Sequence, residues 1–247
     1  MTILKTKEEI KIIAEGGKIL ATVIRKLEEM AKPGITTLEL DRAAEALILS
    51  MGAKPAFKNY EGFPYSLCAS VNENIVHGFP SKYVLKDGDI LKLDLGVLYK
   101  GYNTDMAVTV PVGNVSYEAR RLINTTKKSL RLGIKKAKVG NTIGDIGNTV
   151  QRFVEDQGFG VVRDLCGHGI GKGVHEEPKI PNFGKRGGGE NLVEGMVICI
   201  EPMVTMGDYN ITQSEDGYGY ATRDKSLSAH FEHTIAITEK GPVILTE

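Results

Sequence analysis

The chain has 247 residues, a length that allows one large domain or two smaller ones. Its 31 basic and 31 acidic side chains cancel, and neither sign forms a continuous block, so no nucleic-acid site or membrane tether is predicted. Three scattered cysteines argue against a disulfide framework. Residues 1–7 lack the features of a signal peptide, and no run reaches the roughly 18 apolar residues of a membrane span. We therefore expect a soluble cytoplasmic protein.

Two helices are predicted at the start of the chain. A capping box opens at Thr6, and apolar or small residues follow at helical spacing between positions 10 and 31. This helix ends at Lys32-Pro33-Gly34. A second capping box opens at Thr36, and its helix ends at Gly52.

The same helix start and stop signals recur later in the chain at a constant offset. The matched positions are 106 residues apart (137 − 31 = 106): Ala31-Lys32-Pro33-Gly34 with Ala137-Lys138-Val139-Gly140, Thr36 with Thr142, Leu40 with Ile146, and Gly52 with Gly158. A shared start, apolar spacing and stop indicate an internal repeat. We predict one domain, 1–247, built from two related halves at roughly 6–112 and 113–247.

Strands follow the helices in each half. Residues 90–98 and 102–110 alternate around a turn at 99–101, which predicts a hairpin. Segments 196–205 and 227–238 also have the composition of strands. Helices beside a largely antiparallel sheet make an α+β fold.

Carboxylates interrupt these strands. Asp94 lies in an otherwise leucine-rich strand, although aspartate is disfavoured there. Counting from the turn places Asp105 opposite Asp94 to within a residue, where like charges repel unless a cation lies between them. The alternative is that both carboxylates face water on an exposed side of the sheet.

The second half contributes two further strand carboxylates. Glu201 has apolar neighbours on both sides, and an unpaired buried carboxylate is costly. Glu232 lies in an alternating strand. His168 and His175 fall in a glycine-rich loop that lacks the spacing of a phosphate-binding loop.

These side chains indicate a metal site. Carboxylates with one imidazole suit Mn²⁺ or Fe²⁺, with Co²⁺ or Zn²⁺ as alternatives. Two acids from each half would allow two divalent ions, which together activate water and polarise a carbonyl group. We therefore predict a metallohydrolase that cleaves an amide bond.

Taken in order, the motifs resemble those of the type I methionine aminopeptidases, which have the pita-bread fold. The resemblance covers nearly the whole chain and rests on six motifs: Leu93-Asp94, Asn103-Thr104-Asp105, Gly167-His168-Gly169-Ile170-Gly171, His175-Glu176-Glu177-Pro178, Ile200-Glu201-Pro202-Met203 and Phe231-Glu232-His233-Thr234. It implies a bacterial-type metallo-exopeptidase that removes the initiator methionine from nascent chains during protein maturation.

The resemblance also implies a ligand set. Asp105 and Glu232 match bridging ligands of two divalent ions, Asp94 matches a ligand of one ion, and His168 and Glu201 match ligands of the other. A bound monovalent cation and a transient ribosome contact are also compatible with the resemblance. The protein is expected to be a monomer.

Further roles follow from the same resemblance. Glu201 would relay a proton, His175 would stabilise the oxyanion at the scissile carbonyl, and His77 would lie near the substrate amide. The methionine pocket would consist of Phe57, Tyr60, Phe63, Cys68 and Tyr218.

Two positions depart from the family pattern, and they bear on the shape of this pocket. Val174 stands where an aromatic residue is frequent, and Tyr218 replaces a tryptophan. The alternative for the aromatic cluster at residues 59–65 is ordinary core packing. His230 and His233 are assigned no role.

Two other functions remain open from the sequence. A prolidase or aminopeptidase P has the same fold and a similar site, but typically carries an additional N-terminal domain. A binding module could keep the fold without the metals, although all five ligand positions are intact here.

Overall fold

A computed structural model describes residues 2–247. The helices are α1 (Lys7–Met30), α2 (Thr37–Ser50), α3 (Tyr117–Lys136) and α4 (Ile143–Asp156). The strands are β1 (Lys54–Pro55), β2 (Leu67–Val71), β3 (Asn74–Val76), β4 (Ile90–Tyr99), β5 (Tyr102–Pro111), β6 (Gly160–Val161), β7 (Cys166–Gly169), β8 (Glu176–Pro181), β9 (Val197–Ile200), β10 (Met203–Thr205), β11 (Ile211–Gln213), β12 (Tyr220–Thr222), β13 (Ser228–His230), β14 (Glu232–Thr238) and β15 (Gly241–Ile244).

A nine-stranded antiparallel sheet forms the centre of the fold. Its main path is β1-β4-β5-β14-β9-β7-β8, with β2 beside β4 and β15 beside β14. Two three-stranded sheets, β13-β10-β6 and β11-β12-β3, complete the structure. Helix α1 packs on β4 and β5, and α3 packs on α4. The predicted α+β architecture is confirmed.

The helices begin and end where the sequence predicts. Thr6 and Thr36 accept hydrogen bonds from backbone N–H groups three residues later, and both capping boxes are complete. One face of α1, including Leu20, Ile24 and Leu27, is fully buried in the main core. These caps satisfy backbone donors that the first turn of a helix leaves free, so each helix start is fixed locally.

The two helix pairs follow one pattern. Helices α1 and α3 end at positions 30 and 136, and α2 and α4 end at positions 50 and 156, so the offset of 106 holds in the structure. Gly52 and Gly158 directly follow the C-caps of α2 and α4 and have φ angles of 74° and 79°, a conformation that favours glycine at this position. This repeat gives the fold its two pseudo-symmetric halves.

The β4–β5 hairpin differs from its predicted register. Lys100 and Gly101, with φ angles of 47° and 85°, form a two-residue turn, so Tyr99 pairs with Tyr102. Asp94 consequently pairs with Ala107, and Asp105 pairs with Gly96. The prediction that the two aspartates lie opposite each other to within a residue is wrong, because it assumed a three-residue turn. They are diagonal neighbours.

Two predicted strands are each divided in two. The segment 196–205 forms β9 and β10, which are interrupted at Glu201-Pro202 and belong to different sheets. The segment 227–238 forms β13 and β14, interrupted at Phe231. His168 lies on strand β7, whereas a loop was predicted. The breaks arise because the chain passes from one sheet to another, which periodicity does not reveal.

None of the helices in residues 2–247 combines the length and the apolar character that crossing a membrane requires.

Candidate metal centre

Carboxylates from both halves of the chain converge at the centre of the large sheet. Oxygen atoms of Asp94, Asp105 and Glu232 lie within 4.8 Å of one another, and all three side chains are buried. Glu201 forms a second group of this kind with Glu232 and His230. Strands β4, β5 and β14, together with the break after β9, bring these four acids to one place.

Placing these carboxylates next to one another in the interior is energetically unfavourable in the absence of a cation. Burial raises the pKa of Asp94 to about 6, and burial together with neighbouring carboxylates raises the pKa of Asp105, Glu201 and Glu232. One oxygen each of Asp94, Asp105 and Glu232 has no hydrogen-bond partner among residues 2–247. Buried carboxylate oxygens without partners are costly, and divalent cations would satisfy them, so the residues fit a metal centre.

His168 presents one ring nitrogen to this cluster. Its Nδ1 lies 2.8 Å from the carbonyl oxygen of Gly169, a contact in which Nδ1 donates its proton. The Nε2 atom is therefore left as an acceptor and lies 3.7 Å from Glu201 Oε1. Burial, with the nearby His175, lowers the pKa of His168 to about 3, so the ring is neutral. A neutral imidazole nitrogen is a suitable metal ligand.

Two further histidines, His77 and His175, line the same pocket. The His175 ring is 4.5 Å from that of His168, in an edge-to-face arrangement. The hydroxyl of Tyr60 lies 3.3 Å from His175 Nδ1. Burial lowers the pKa of His175, and it lowers the pKa of His77 to about 4. Both rings are therefore neutral near pH 7 and can each donate one hydrogen bond.

An aromatic pocket lies above the carboxylates. Phe63 and Tyr218 approach to 5.9 Å between ring centroids, and the Tyr218 hydroxyl donates to the carbonyl of Glu61. Sequence reasoning missed Phe79, which packs behind the pocket against two of its lining residues, with its ring 5.3 Å from Phe63 and 5.1 Å from Tyr218. All the residues assigned to the site from the sequence line one pocket: Phe57, Tyr60, Phe63, Cys68, His77, Asp94, Asp105, His168, His175, Glu201, Tyr218 and Glu232.

His230 is a site residue that the sequence analysis left without a role. It is 1% exposed, and its Nε2 lies 3.4 Å from Glu201 Oε2. Neither ring nitrogen has a hydrogen-bond partner in the described part of the chain. His230 precedes Glu232 by two positions, a spacing that would put both side chains on one face of a continuous strand, and the structure groups both with Glu201 although the strand breaks at Phe231. That spacing was the signal available in the sequence. His233, in contrast, pairs with Thr246 outside the pocket.

Long-range contacts hold the loop that carries His175. Asn103 Nδ2 donates to the carbonyl oxygens of Gly171 and Lys172 at 3.1 and 2.9 Å. Lys5 Nζ lies 2.6 Å from Glu176 Oε2 in a buried ion pair whose side chains are 3% and 9% exposed. Glu176 also accepts a hydrogen bond from the Gly173 N–H. The loop is therefore anchored by β5 and by the N-terminal segment.

Buried acids around a neutral histidine, at the floor of an aromatic pocket in this α+β fold, define a metal-dependent hydrolase. A family model described as "Metallopeptidase family M24" matches residues 11–239. The chain belongs to this metallopeptidase family.

Similar proteins span the whole chain. A methionine aminopeptidase of Clostridium perfringens is 52% identical over 246 residues, covering 100% of this chain and 99% of the relative, and methionine aminopeptidase 1 of Bacillus subtilis is 46% identical with the same coverage. The crystal structure of methionine aminopeptidase from Thermotoga maritima superposes with a TM-score of 0.98 at 42% identity, and covers 100% of both chains. A prolidase from Pyrococcus furiosus gives a TM-score of 0.80 at 28% identity; this chain covers 66% of it. The pita-bread fold is thereby confirmed.

Proposed function

We propose that this protein is a methionine aminopeptidase, which hydrolyses the bond after an N-terminal methionine. The observation that carries the proposal is the placement of four carboxylates, of which Asp94, Asp105 and Glu232 are buried and Glu201 is partly exposed, at the floor of an apolar, aromatic pocket. Full-length relatives at 42–52% identity that are named methionine aminopeptidases support it. Aromatic rings and the thiol of Cys68 suit a thioether side chain, because sulfur interacts favourably with ring edges.

We assign the metal ligands from the donor atoms that meet in this pocket. Asp105 and Glu232 would bridge two divalent ions, Asp94 would bind one ion, and His168 with Glu201 would bind the other. The unpartnered oxygens of Asp94, Asp105 and Glu232 support this assignment. The preferred metal is Mn²⁺, Fe²⁺, Co²⁺ or Zn²⁺. When bound, such a pair lowers the pKa of water and polarises the scissile carbonyl.

The protein's own side chains would complete the reaction. The Glu201 carboxylate accepts a proton from the attacking water and delivers it to the leaving amine. When the Tyr60 hydroxyl donates to His175 Nδ1, the proton of His175 resides on Nε2, which then donates to the oxygen of the tetrahedral intermediate. His77, which lines both this pocket and the adjoining cavity, would contact the substrate amide.

A second groove gives the remainder of the peptide a path out of the site. It shares His77, His168, His175 and Glu201 with the methionine pocket and continues past Val76, Leu165, Cys166, Lys179 and Met203. The scissile bond would lie where the two cavities meet. The pocket on the other side accommodates one side chain, and its acidic floor attracts a free α-amine, so cleavage is limited to the first bond.

The test is a peptide-release assay on metal-loaded protein. We expect methionine to be released from Met-Gly-type peptides and not from the same peptides with an acetylated N-terminus. Glu201→Gln should reduce the rate by at least about 100-fold, since it removes both a proton carrier and a ligand. The matched control is Glu190→Gln on the exposed surface, which should leave the rate unchanged. Equal rates for wild type and Glu201→Gln would contradict the proposal.

A prolidase activity is the second candidate because the prolidase structure superposes over the whole chain. The lower identity and TM-score of this match disfavour it relative to the aminopeptidase. Assay of dipeptides that end in proline, with Met-Gly peptides in parallel, separates the two functions. Preferential cleavage of the bond before proline would favour the prolidase activity over the aminopeptidase activity.

We further propose that residues 1–247 act as one catalytic domain and as a monomer in the cytoplasm. Its substrates would be nascent chains that begin with methionine. A transient contact with the ribosome would follow from that substrate. Cosedimentation of the tagged protein with ribosomes tests the ribosome contact. Its elution volume in size-exclusion chromatography tests whether it is a monomer.

A further inference from the structure

Lys92 is a fully buried lysine whose ammonium group meets backbone carbonyls. The residue lies on β4, two positions before Asp94, and is 1% exposed. Its Nζ donates to the carbonyl oxygen of Asn72 at 2.6 Å and to that of Ser228 at 3.1 Å. A third, longer contact of 3.4 Å reaches the Ser228 hydroxyl.

The oxygens around Nζ converge from separate segments of the chain. The Ser228 hydroxyl lies 3.1 Å from the Asn72 carbonyl and 3.2 Å from the Asn74 carbonyl, to which it can donate. Lys92 has no ion-pair partner among residues 2–247. Neutral carbonyl and hydroxyl oxygens that point inward to one centre are the ligands that proteins use for Na⁺ and K⁺.

The contacts of Nζ match an ammonium group. All three neighbours can accept hydrogen bonds, and an ammonium group has three donors and no acceptor. A neutral amine would direct its lone pair at one of these oxygens. The carbonyl oxygens therefore solvate this ammonium group in place of the water that would solvate it at the protein surface.

The position of this group connects three parts of the metal centre. Asn72 lies at the turn between β2 and β3, just before the segment that leads to His77. Ser228 begins β13, which leads to His230 and Glu232. Lys92 itself extends from β4, which carries Asp94. The Lys92 ammonium thus links three backbone segments that carry site residues from both halves of the chain.

We propose that the Lys92 ammonium is a built-in monovalent cation: it occupies the carbonyl cluster at Asn72 and Ser228, so that the enzyme neither binds nor needs K⁺ or Na⁺ there. Lys92 is a positioning residue, because it holds the segments that carry His77 and Glu232 and does not touch the substrate.

The proposal predicts how different cations affect stability. Metal-loaded protein is unfolded by heat in potassium chloride and in tetramethylammonium chloride at equal ionic strength, because tetramethylammonium is too large for the cluster. Wild type should unfold at the same temperature in both salts, within about 1 °C, since a cation that does not bind cannot stabilise. Lys92→Ala should unfold at a lower temperature and recover by about 5 °C as K⁺ or ammonium fills the vacated space.

Lys92→Met is the matched control. Its side chain keeps most of the volume without the charge, so it should be destabilised and show no difference between the salts. Lys240→Ala, at an exposed position, should behave as wild type. Release of methionine provides a second measurement that rests on the proposed function: Lys92→Ala should lose about 10-fold in kcat/KM and regain most of it with K⁺.

The two measurements separate the possible failures. If methionine is not released by any variant, the proposed function fails, and the unfolding data still decide the role of Lys92. Stabilisation of wild type by K⁺ relative to tetramethylammonium would overturn the proposal. A Lys92→Ala protein that responds to K⁺ no more than wild type does would also overturn it. If Lys92→Ala does not fold, the wild-type comparison decides alone.

Discussion

The two halves of the molecule deliver their site residues by different means. In the first half, Asp94 and Asp105 lie on one hairpin, whose ten residue pairs run without interruption from Ile90 to Tyr99. In the second half, His168 lies on the four-residue strand β7, Glu201 follows the four-residue strand β9 at one break between sheets, and Glu232 begins β14 at the other break. A regular ladder fixes side chains through local register, whereas short strands depend on contacts with distant segments. The second half should therefore be the more sensitive to changes far from the pocket.

The largest effect is expected from the hairpin acids, and its sign depends on the metal. Asp105→Asn should reduce metal content and lower kcat/KM by at least about 100-fold, because the proposed bridging ligand is lost. In metal-free protein the same change should leave the melting temperature unchanged or raise it, because it removes one of the repelling buried carboxylates.

Elemental analysis of the purified protein measures the metal content, and melting curves with and without chelator measure the effect on stability. Thr109→Ser, on the same strand, serves as a variant that keeps the charge of the cluster. Destabilisation by Asp105→Asn in the metal-free protein would mean that the four acids do not repel one another.

The next largest effect should come from the anchor of the second half. Lys5→Met leaves the buried Glu176 carboxylate without its ion-pair partner, which we expect to cost about 3 kcal/mol in the free energy of unfolding. The loop before Glu176 carries His175, so kcat should fall more than KM rises. Adding Glu176→Gln should restore part of the stability, because the unpaired charge is then removed.

A matched ion pair in the first half provides the control. Lys100 pairs with Glu15 at 3.0 Å, but the two side chains are 56% and 39% exposed. Lys100→Met should therefore cost under about 1 kcal/mol. Urea denaturation of both variants measures the difference, and equal costs would contradict the stronger dependence of the second half on distant contacts.

A smaller effect should follow from filling space beneath the pocket. Gly96 pairs with Asp105, and a Cβ atom at Gly96 would lie 2.7 Å from Phe57 and 2.9 Å from Ala56. Gly96→Ala should displace the Phe57 ring and lower kcat/KM for methionyl peptides by about 10-fold. Metal content should stay at the wild-type level. Loss of metal in this variant would show that the change had distorted the hairpin rather than the pocket.

The smallest effects should be equal in the two halves. Thr36 and Thr142 cap α2 and α4 with the same pair of hydrogen bonds, so Thr36→Ala and Thr142→Ala should each cost about 1 kcal/mol. Chemical denaturation measures both. If only one variant loses stability, the two halves resemble each other in sequence but their caps do not contribute equally to the free energy of unfolding.

The sequence by itself determined the features that depend on neighbouring residues. Capping boxes and apolar spacing gave the helix ends, and alternation gave the β4–β5 hairpin. The acids stood out because aspartate and glutamate in apolar strands need a reason to be buried. The resemblance to a known family then supplied the pocket residues, all of which the structure brings to one cavity.

Only the tertiary structure decided which distant groups meet. It placed His230 beside Glu201, set Lys92 among the carbonyls of Asn72 and Ser228, and joined Lys5 to Glu176. Each of these contacts links segments more than 15 residues apart in the chain, and local patterns carry no information about such pairs. The register of the hairpin changed with a single residue in its turn, because side chains in a strand alternate with a period of two. Hydrogen bonding and burial in three dimensions therefore determined these positions.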